Sequence, residues 1–136
     1  SIPSRVRLGV DLRDTDGKRR DRVLGEIQTA AREIAQQRQL QITTQMLNAD
    51  EPAVSSPEIL AAIARRCEEE GLQWQKIVAR AYHDSSFMAK IAPMAMIFIP
   101  CRNGVSHRPD EYAAPEHIVD GVKVLARTLA ELSSSH

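Results

Sequence analysis

Apolar and polar residues alternate strictly from Arg5 to Arg13. Val6, Leu8, Val10 and Leu12 fall on one side, and Arg5, Arg7, Asp11 and Arg13 on the other. A period of two is that of a strand with one wet face. The period changes at Asp14-Thr15-Asp16-Gly17, which breaks the strand and offers an N-cap. Beyond it Val23, Ile27, Ala30, Ile34 and Ala35 recur at helical spacing. They predict an amphipathic helix of about 20 residues, reaching near Arg38 and laid over a sheet. Leu40 to Leu47 alternates again and reads as a second strand. Strand, helix and strand make half of an α+β sandwich, and two strands are too few to stand without neighbours.

Residues 48–56, with Pro52 and then Pro57, have no periodicity, so the domain boundary is placed there, dividing 1–50 from 51–136. Ser55 and Glu58 read as a capping box, and Pro57 suits the first turn of a helix carrying Ile59, Leu60, Ile63, Ala64 and Cys67. The run Glu68-Glu69-Glu70 is a solvated face, and Gly71 a helix-ending glycine. Trp74 to Ala79 reads as a short strand. Phe87, Met88 and Ile91 share one face of a short helix that Pro93 stops. The apolar run Met94 to Ile99, closed by Pro100, suits a strand covered on both faces, with Met94, Met96 and Phe98 as core packing. Pro115 starts the last helix, whose predicted core stripe is Ile118, Val122, Leu125, Leu129 and Leu132. Residues 133–136 read as a frayed end. Helix, strand, helix, strand, helix is the order of α/β layers.

Composition narrows the functional classes. The 136 residues carry 43% hydrophobic and 26% charged side chains, no net charge and 4% aromatics. That is a globular chain with neither the field nor the stacking platform for nucleic acid. No apolar run reaches membrane-spanning length and no signal-peptide pattern opens the chain. Cys67 and Cys101 have no metal-type spacing and read as reduced thiols, which fits the cytoplasm.

Two histidines carry the candidate chemistry. His107 lies on the loop just beyond the Met94–Ile99 strand, the sheet edge where ligands bind in open α/β sheets. Gly104, Ser106 and Pro109 pin its backbone. His83 precedes Asp84 and Ser85, both good caps, which would set its imidazole at a helix N-terminus that favours anions or developing oxyanions. Each imidazole could be a metal ligand, a general acid or a polar group bonded to the backbone. Arg102 and Asn103 read as turn residues, and His117 as exposed. Asp110 and Glu111 could support His107 or form a charged rim.

At these residues the chain resembles a known family. Ala81-Tyr82-His83-Asp84-Ser85, the apolar strand, and Gly104-Val105-Ser106-His107-Arg108-Pro109-Asp110-Glu111-Tyr112 are similar to the dinuclear-metal amidohydrolases that include allantoate amidohydrolase, ureidoglycolate amidohydrolase and N-carbamoyl-L-amino-acid hydrolase, relatives of the aminoacylase and carboxypeptidase metallopeptidases. The likeness runs from Ile2 to about Leu132. It implies an α/β protein, here the C-terminal part of a sheet-and-helix metallohydrolase domain preceded by the second half of an α+β, ferredoxin-like lid that forms a homodimer contact. The first half of the lid, the other metal ligands and a general-base glutamate would precede Ser1.

The resemblance also assigns roles. His107 becomes a metal ligand, the one ligand in this chain to a pair of divalent ions, manganese or zinc. Arg13, in Asp11-Leu12-Arg13-Asp14, becomes the anchor for a substrate carboxylate. A planar fork of donors suits that task, although a surface arginine paired with Asp11 or Asp14 fits the same residues. Tyr82 and His83 line the pocket, His83 with a catalytic role. Many members have Ser-Gly-Ala-Gly where this chain has Ala79-Arg80-Ala81-Tyr82, so Tyr82 narrows the pocket and adds a hydroxyl. The implied reaction releases ammonia from a carboxylate-bearing ureide such as allantoate or ureidoglycolate, or decarbamoylates an N-carbamoyl amino acid. The competing reading is a non-catalytic piece that retains the dimer-forming lid elements.

Overall fold

A computed structural model describes residues 3–134. The chain divides into two compact units, Ser1–Pro52 and Ala53–His136.

The first unit is built on helix α1, Gly17–Arg38. Asp16 caps it, its carboxylate accepting from the N–H groups of Lys18 (2.9 Å) and Arg19 (3.2 Å), donors that have no partner within the helix. Asp14 holds the same turn by accepting from the Asp16 N–H and pairing with the Arg19 guanidinium. At the other end Gln39 takes a left-handed conformation, φ 53°, and the Leu40 N–H donates to the Ala35 carbonyl at 2.9 Å. Arg20 reaches the Asp50 carbonyl and Glu51, tying the end of the unit to the start of α1. The predicted stripe is only partly covered: Val23 and Ala35 are half-buried, whereas Ile27, Ala30 and Ile34 are exposed.

The second unit holds α2 (Pro57–Glu69), the single turn α3 (Ser85–Met88), a 3-10 turn at Arg102–Gly104, and α4 (Pro115–Ser134). Helix α2 is capped by Ser56, whose hydroxyl accepts from the Ile59 N–H at 3.4 Å. The cap thus falls one residue after Ser55, and the Ser55–Glu58 box does not form. Gly71, at φ +68°, ends α2 as predicted, its N–H donating to Glu68 and the Leu72 N–H to Cys67. Residues 133 and 134 remain in α4; the rest of the expected frayed end, 135–136, lies outside the described residues.

Helices α2 and α4 pack together and hold the core. Ala62 is 0% and Val124 2% exposed. Thr128, at 3%, satisfies its buried hydroxyl by donating to the Val124 carbonyl at 2.8 Å. Gly121 lets Ile99 of the extended segment approach α4 so closely that a Cβ there would lie 2.6 Å from the Ile99 methyl. At the carboxyl-terminal ends Arg65 and Arg66 of α2 grip Glu131 of α4, and Arg127 pairs with Glu70 at 2.6 Å.

Two expectations need correction. Helix α4 does not turn the stripe of Ile118, Val122, Leu125 and Leu129 inward: these residues are between 47% and 59% exposed. The covered stripe is Gly121, Val124, Thr128 and Glu131, with Leu132 half-buried beside it. Small residues allow the close approach of α2 and Ile99, and the arginine clamp fixes that face toward α2. Second, the four segments read as strands form neither helix nor ladder among the described residues. A strand is defined by a neighbour to bond with, and among the described residues none of these segments has one. The described residues are therefore helical, and the expected α/β layers are not seen among them. Residues 94–97 and Ile99 are half-buried and Phe98 is exposed, a strand covered less than its apolar run predicts.

Candidate functional site

Residues 101–112 form a self-contained loop that displays His107. Its base is closed by the Arg102 N–H donating to the Tyr112 carbonyl at 2.8 Å, with the Arg102 guanidinium 4.3 Å from the centre of the Tyr112 ring. Asn103 (φ 56°) and Gly104 (φ +65°) take left-handed conformations to make the turn, and His107 itself does so at φ 59°. A left-handed histidine is uncommon, and here one hydrogen bond holds its backbone and another its ring. The His107 N–H donates to a Glu111 carboxylate oxygen at 2.7 Å, and the Ser106 hydroxyl lies 2.8 Å from Nδ1. The Ser106 contact orients the ring, and in the tautomer where Nδ1–H donates to the hydroxyl, Nε2 is the nitrogen able to ligate. Arg108 and Asp110 pair through two contacts at 3.0 Å, and the Glu111 N–H donates to the Arg108 carbonyl. His107 is exposed, as an imidazole presented to an incoming group must be.

His83 is half-buried beside the same extended segment, its ring 5.7 Å from that of Phe98 in an edge-on arrangement. It precedes a helix N-terminus as expected, but the expected caps do not act and the helix is short. Helix α3 is one turn long, Asp84 makes no side-chain cap bond, and the Ser85 hydroxyl contacts the Met96 sulfur at 2.9 Å. A single turn carries little dipole, so the electrostatic argument for an anion at His83 lapses. The predicted apolar face of this helix also lies open, with Phe87, Met88 and Ile91 all exposed. Tyr82 is exposed and packs edge-on against Phe87 at 5.6 Å. Tyr82, His83 and His107 thus share the second unit, with no contact between the two histidines among the described residues.

Arg13 belongs to the first unit. Its guanidinium forks onto Asp11, with Nε 2.9 Å and Nη2 2.5 Å from the two carboxylate oxygens. That contact holds Asp11 below the usual carboxylate range and raises the Arg13 guanidinium further. The bidentate geometry is the one a substrate carboxylate would meet, so Asp11 occupies the fork a ligand would have to enter.

Other expectations divide. Cys67 and Cys101 are free thiols, and burial followed by the Glu68 charge pushes the Cys67 thiol up. His117, expected at the surface, is half-buried. Sequence reasoning left open what Glu111 does and did not see Ser106 as a partner of the imidazole. The signal for Glu111 was its place four residues after a histidine in a Pro-Asp turn. Among the described residues no group of three or more His, Cys, Asp or Glu side chains could hold a metal ion. A dinuclear centre needs several donors at each ion, so these residues alone do not fit one. Nor is any helix among them long and apolar enough to cross a membrane.

With this geometry in view, comparison with known proteins is informative. The profile of peptidase family M20/M25/M40 matches residues 5–131. The chain is 46% identical over 134 residues to a ureidoglycolate hydrolase of Arabidopsis thaliana, a match covering 98% of this chain and 28% of the relative. It is 35% identical over 132 residues to an N-carbamoyl-L-amino acid amidohydrolase of Geobacillus stearothermophilus, covering 97% of this chain and 32% of that protein. Among solved structures, that of AtUAH in complex with (S)-hydroxyglycine superposes with a TM-score of 0.74 at 45% identity, over 87% of this chain and 28% of the other. The chain therefore spans about three-tenths of the length of these relatives.

Proposed function

Because this chain belongs to peptidase family M20/M25/M40, we propose that it is a portion of a metal-dependent amidohydrolase that releases ammonia from a carboxylate-bearing ureide, ureidoglycolate or allantoate. The observation that carries the reading is the identity to the Arabidopsis ureidoglycolate hydrolase across nearly the whole chain. In this reading residues 1–50 are the second half of a lid that also forms a homodimer, and residues 51–136 the C-terminal part of the catalytic domain, working in the cytoplasm.

Each named side chain has a task its environment suits. His107 would offer a ring nitrogen to one of two divalent ions, manganese or zinc, whose remaining donors would come from outside these residues, with Ser106 holding the ring and Glu111 the backbone. Such ions would supply Lewis acidity for the hydrolysis. Arg13 exchanges Asp11 for the substrate carboxylate, keeping a bidentate pair in both states. Tyr82 offers an exposed hydroxyl and ring to the substrate, and His83, braced by Phe98, offers an imidazole as proton donor or acceptor. The unpaired extended segments and open apolar faces of both units support the view that further protein completes the sheets.

A second reading, hydrolysis of N-carbamoyl amino acids, is favoured by the identity to the Geobacillus enzyme. A non-catalytic association module is favoured by the incomplete donor set. One panel separates the three: ammonia release by the intact protein from ureidoglycolate, allantoate and N-carbamoyl amino acids with added Mn²⁺. The expected outcome is turnover of ureidoglycolate or allantoate. Preference for N-carbamoyl substrates would select the second reading, and no turnover of any would select the third.

A further inference from the structure

The backbone of His107 is held in a conformation it would not adopt by itself. At φ 59° a residue with a Cβ suffers a steric penalty that glycine escapes, yet this position carries the candidate ligand. What opposes the penalty is one charged acceptor. Glu111 Oε2 receives the His107 N–H at 2.7 Å, a hydrogen bond to a carboxylate and so stronger than a neutral one. The remainder of the loop brings Glu111 there: its N–H is fixed to the Arg108 carbonyl at 3.0 Å, and Arg102 clasps Tyr112 immediately after it.

We infer that Glu111 is the positioning residue for His107: its carboxylate, by holding the His107 N–H, keeps the backbone left-handed and so aims the imidazole. The inference rests on the proposed role of His107 as a metal ligand. Rotation of His107 into the extended region would swing its Cβ to another face of the loop and carry the ring away from the Ser106 hydroxyl. Ser106 sets the ring nitrogen that ligates; Glu111 sets where the ring points. Glutamine retains an acceptor oxygen at the same reach, whereas alanine retains none.

The test compares Glu111→Ala, Glu111→Gln and His107→Ala in the intact protein. Two readouts serve: the backbone ¹³C shifts of His107, which distinguish left-handed from extended conformations, and Mn²⁺ affinity by titration with the metal alone. Glu111→Ala is expected to lose the left-handed signature and to weaken Mn²⁺ binding roughly tenfold or more, with Glu111→Gln recovering most of both. A left-handed signature retained in Glu111→Ala would overturn the inference. So would unchanged Mn²⁺ affinity in Glu111→Ala where His107→Ala weakens it. Should His107→Ala leave affinity unchanged, the ligand reading falls, while loss of the signature in Glu111→Ala still supports the positioning claim. If Glu111→Ala destabilises the loop broadly, His107→Gly decides. Glycine needs no help at φ 59°, so adding Glu111→Ala to that background should cost much less stability than it does alone, and an equal cost would overturn the inference.

Discussion

At the scale of single residues, small side chains and charged forks decide more than large apolar ones. Gly121 is the clearest case. Alanine would raise the helix propensity of α4 by about 1 kcal/mol, but its Cβ would lie 2.6 Å from a branch methyl of Ile99 that cannot swing aside. Overpacking costs typically ~1–3 kcal/mol, so the clash outweighs the propensity. Gly121→Ala is expected to lower the midpoint of urea unfolding, and Ile99→Ala in the same chain to restore part of it. A midpoint at or above that of the unaltered protein would show that α4 can shift at no cost. Arg13 is a prediction of the same scale. If its fork takes the substrate carboxylate, Arg13→Ala should raise KM by roughly ten- to a hundredfold, the worth of a charged hydrogen-bonded pair, with Arg13→Lys recovering only part. An unchanged KM and kcat would leave Arg13 as the surface partner of Asp11 seen in the structure.

Among the elements, the pairing of α2 with α4 carries a pH dependence whose sign follows from one carboxylate. Hydrogen bonds from Arg65 first and Arg66 second hold Glu131 below its ordinary value of 4.5. A carboxylate depressed in the folded state contributes stability that is fully present above the unfolded value. It is lost as pH falls through the folded one. The α2–α4 clamp should therefore be at full strength at neutral pH and weaken below about pH 4.5. Thermal melts of the protein and of Glu131→Gln from pH 7 down to pH 3 should show a gap that narrows with acid. A constant gap would mean that the carboxylate charge contributes nothing to the clamp.

For the molecule as a whole, donor count is decisive. His107 presents one nitrogen, and no cluster of three metal-binding side chains exists among the described residues. The 136-residue polypeptide alone is therefore expected to bind Mn²⁺ only weakly and to release no ammonia from allantoate or ureidoglycolate. Equilibrium dialysis followed by metal analysis would check the first point and an ammonia assay the second. Tight binding of two ions per chain would refute the view that other residues complete the centre.

The sequence alone determined what depends on neighbours a few residues away. An N-cap for α1 within Asp14-Thr15-Asp16-Gly17, Pro57 and Pro115 at helix starts, and Gly71 as the end of α2 were all legible, because capping and turn chemistry act within one or two turns of backbone. The histidine motifs were legible for the same reason: their residues are contiguous. Tertiary structure alone decided which stripe of α4 is buried, because Ile118, Val122, Leu125 and Leu129 satisfy the helical period as well as Gly121, Val124 and Thr128 do. Only the approach of α2 and Ile99 selects between them. It also decided that the four segments read as strands stay unpaired among the described residues, since a hydrophobic pattern specifies a face and not a partner. The hold of Glu111 on His107 also escaped the sequence, although only four residues separate them, because it depends on the His107 backbone turning left-handed, which few residues other than glycine do.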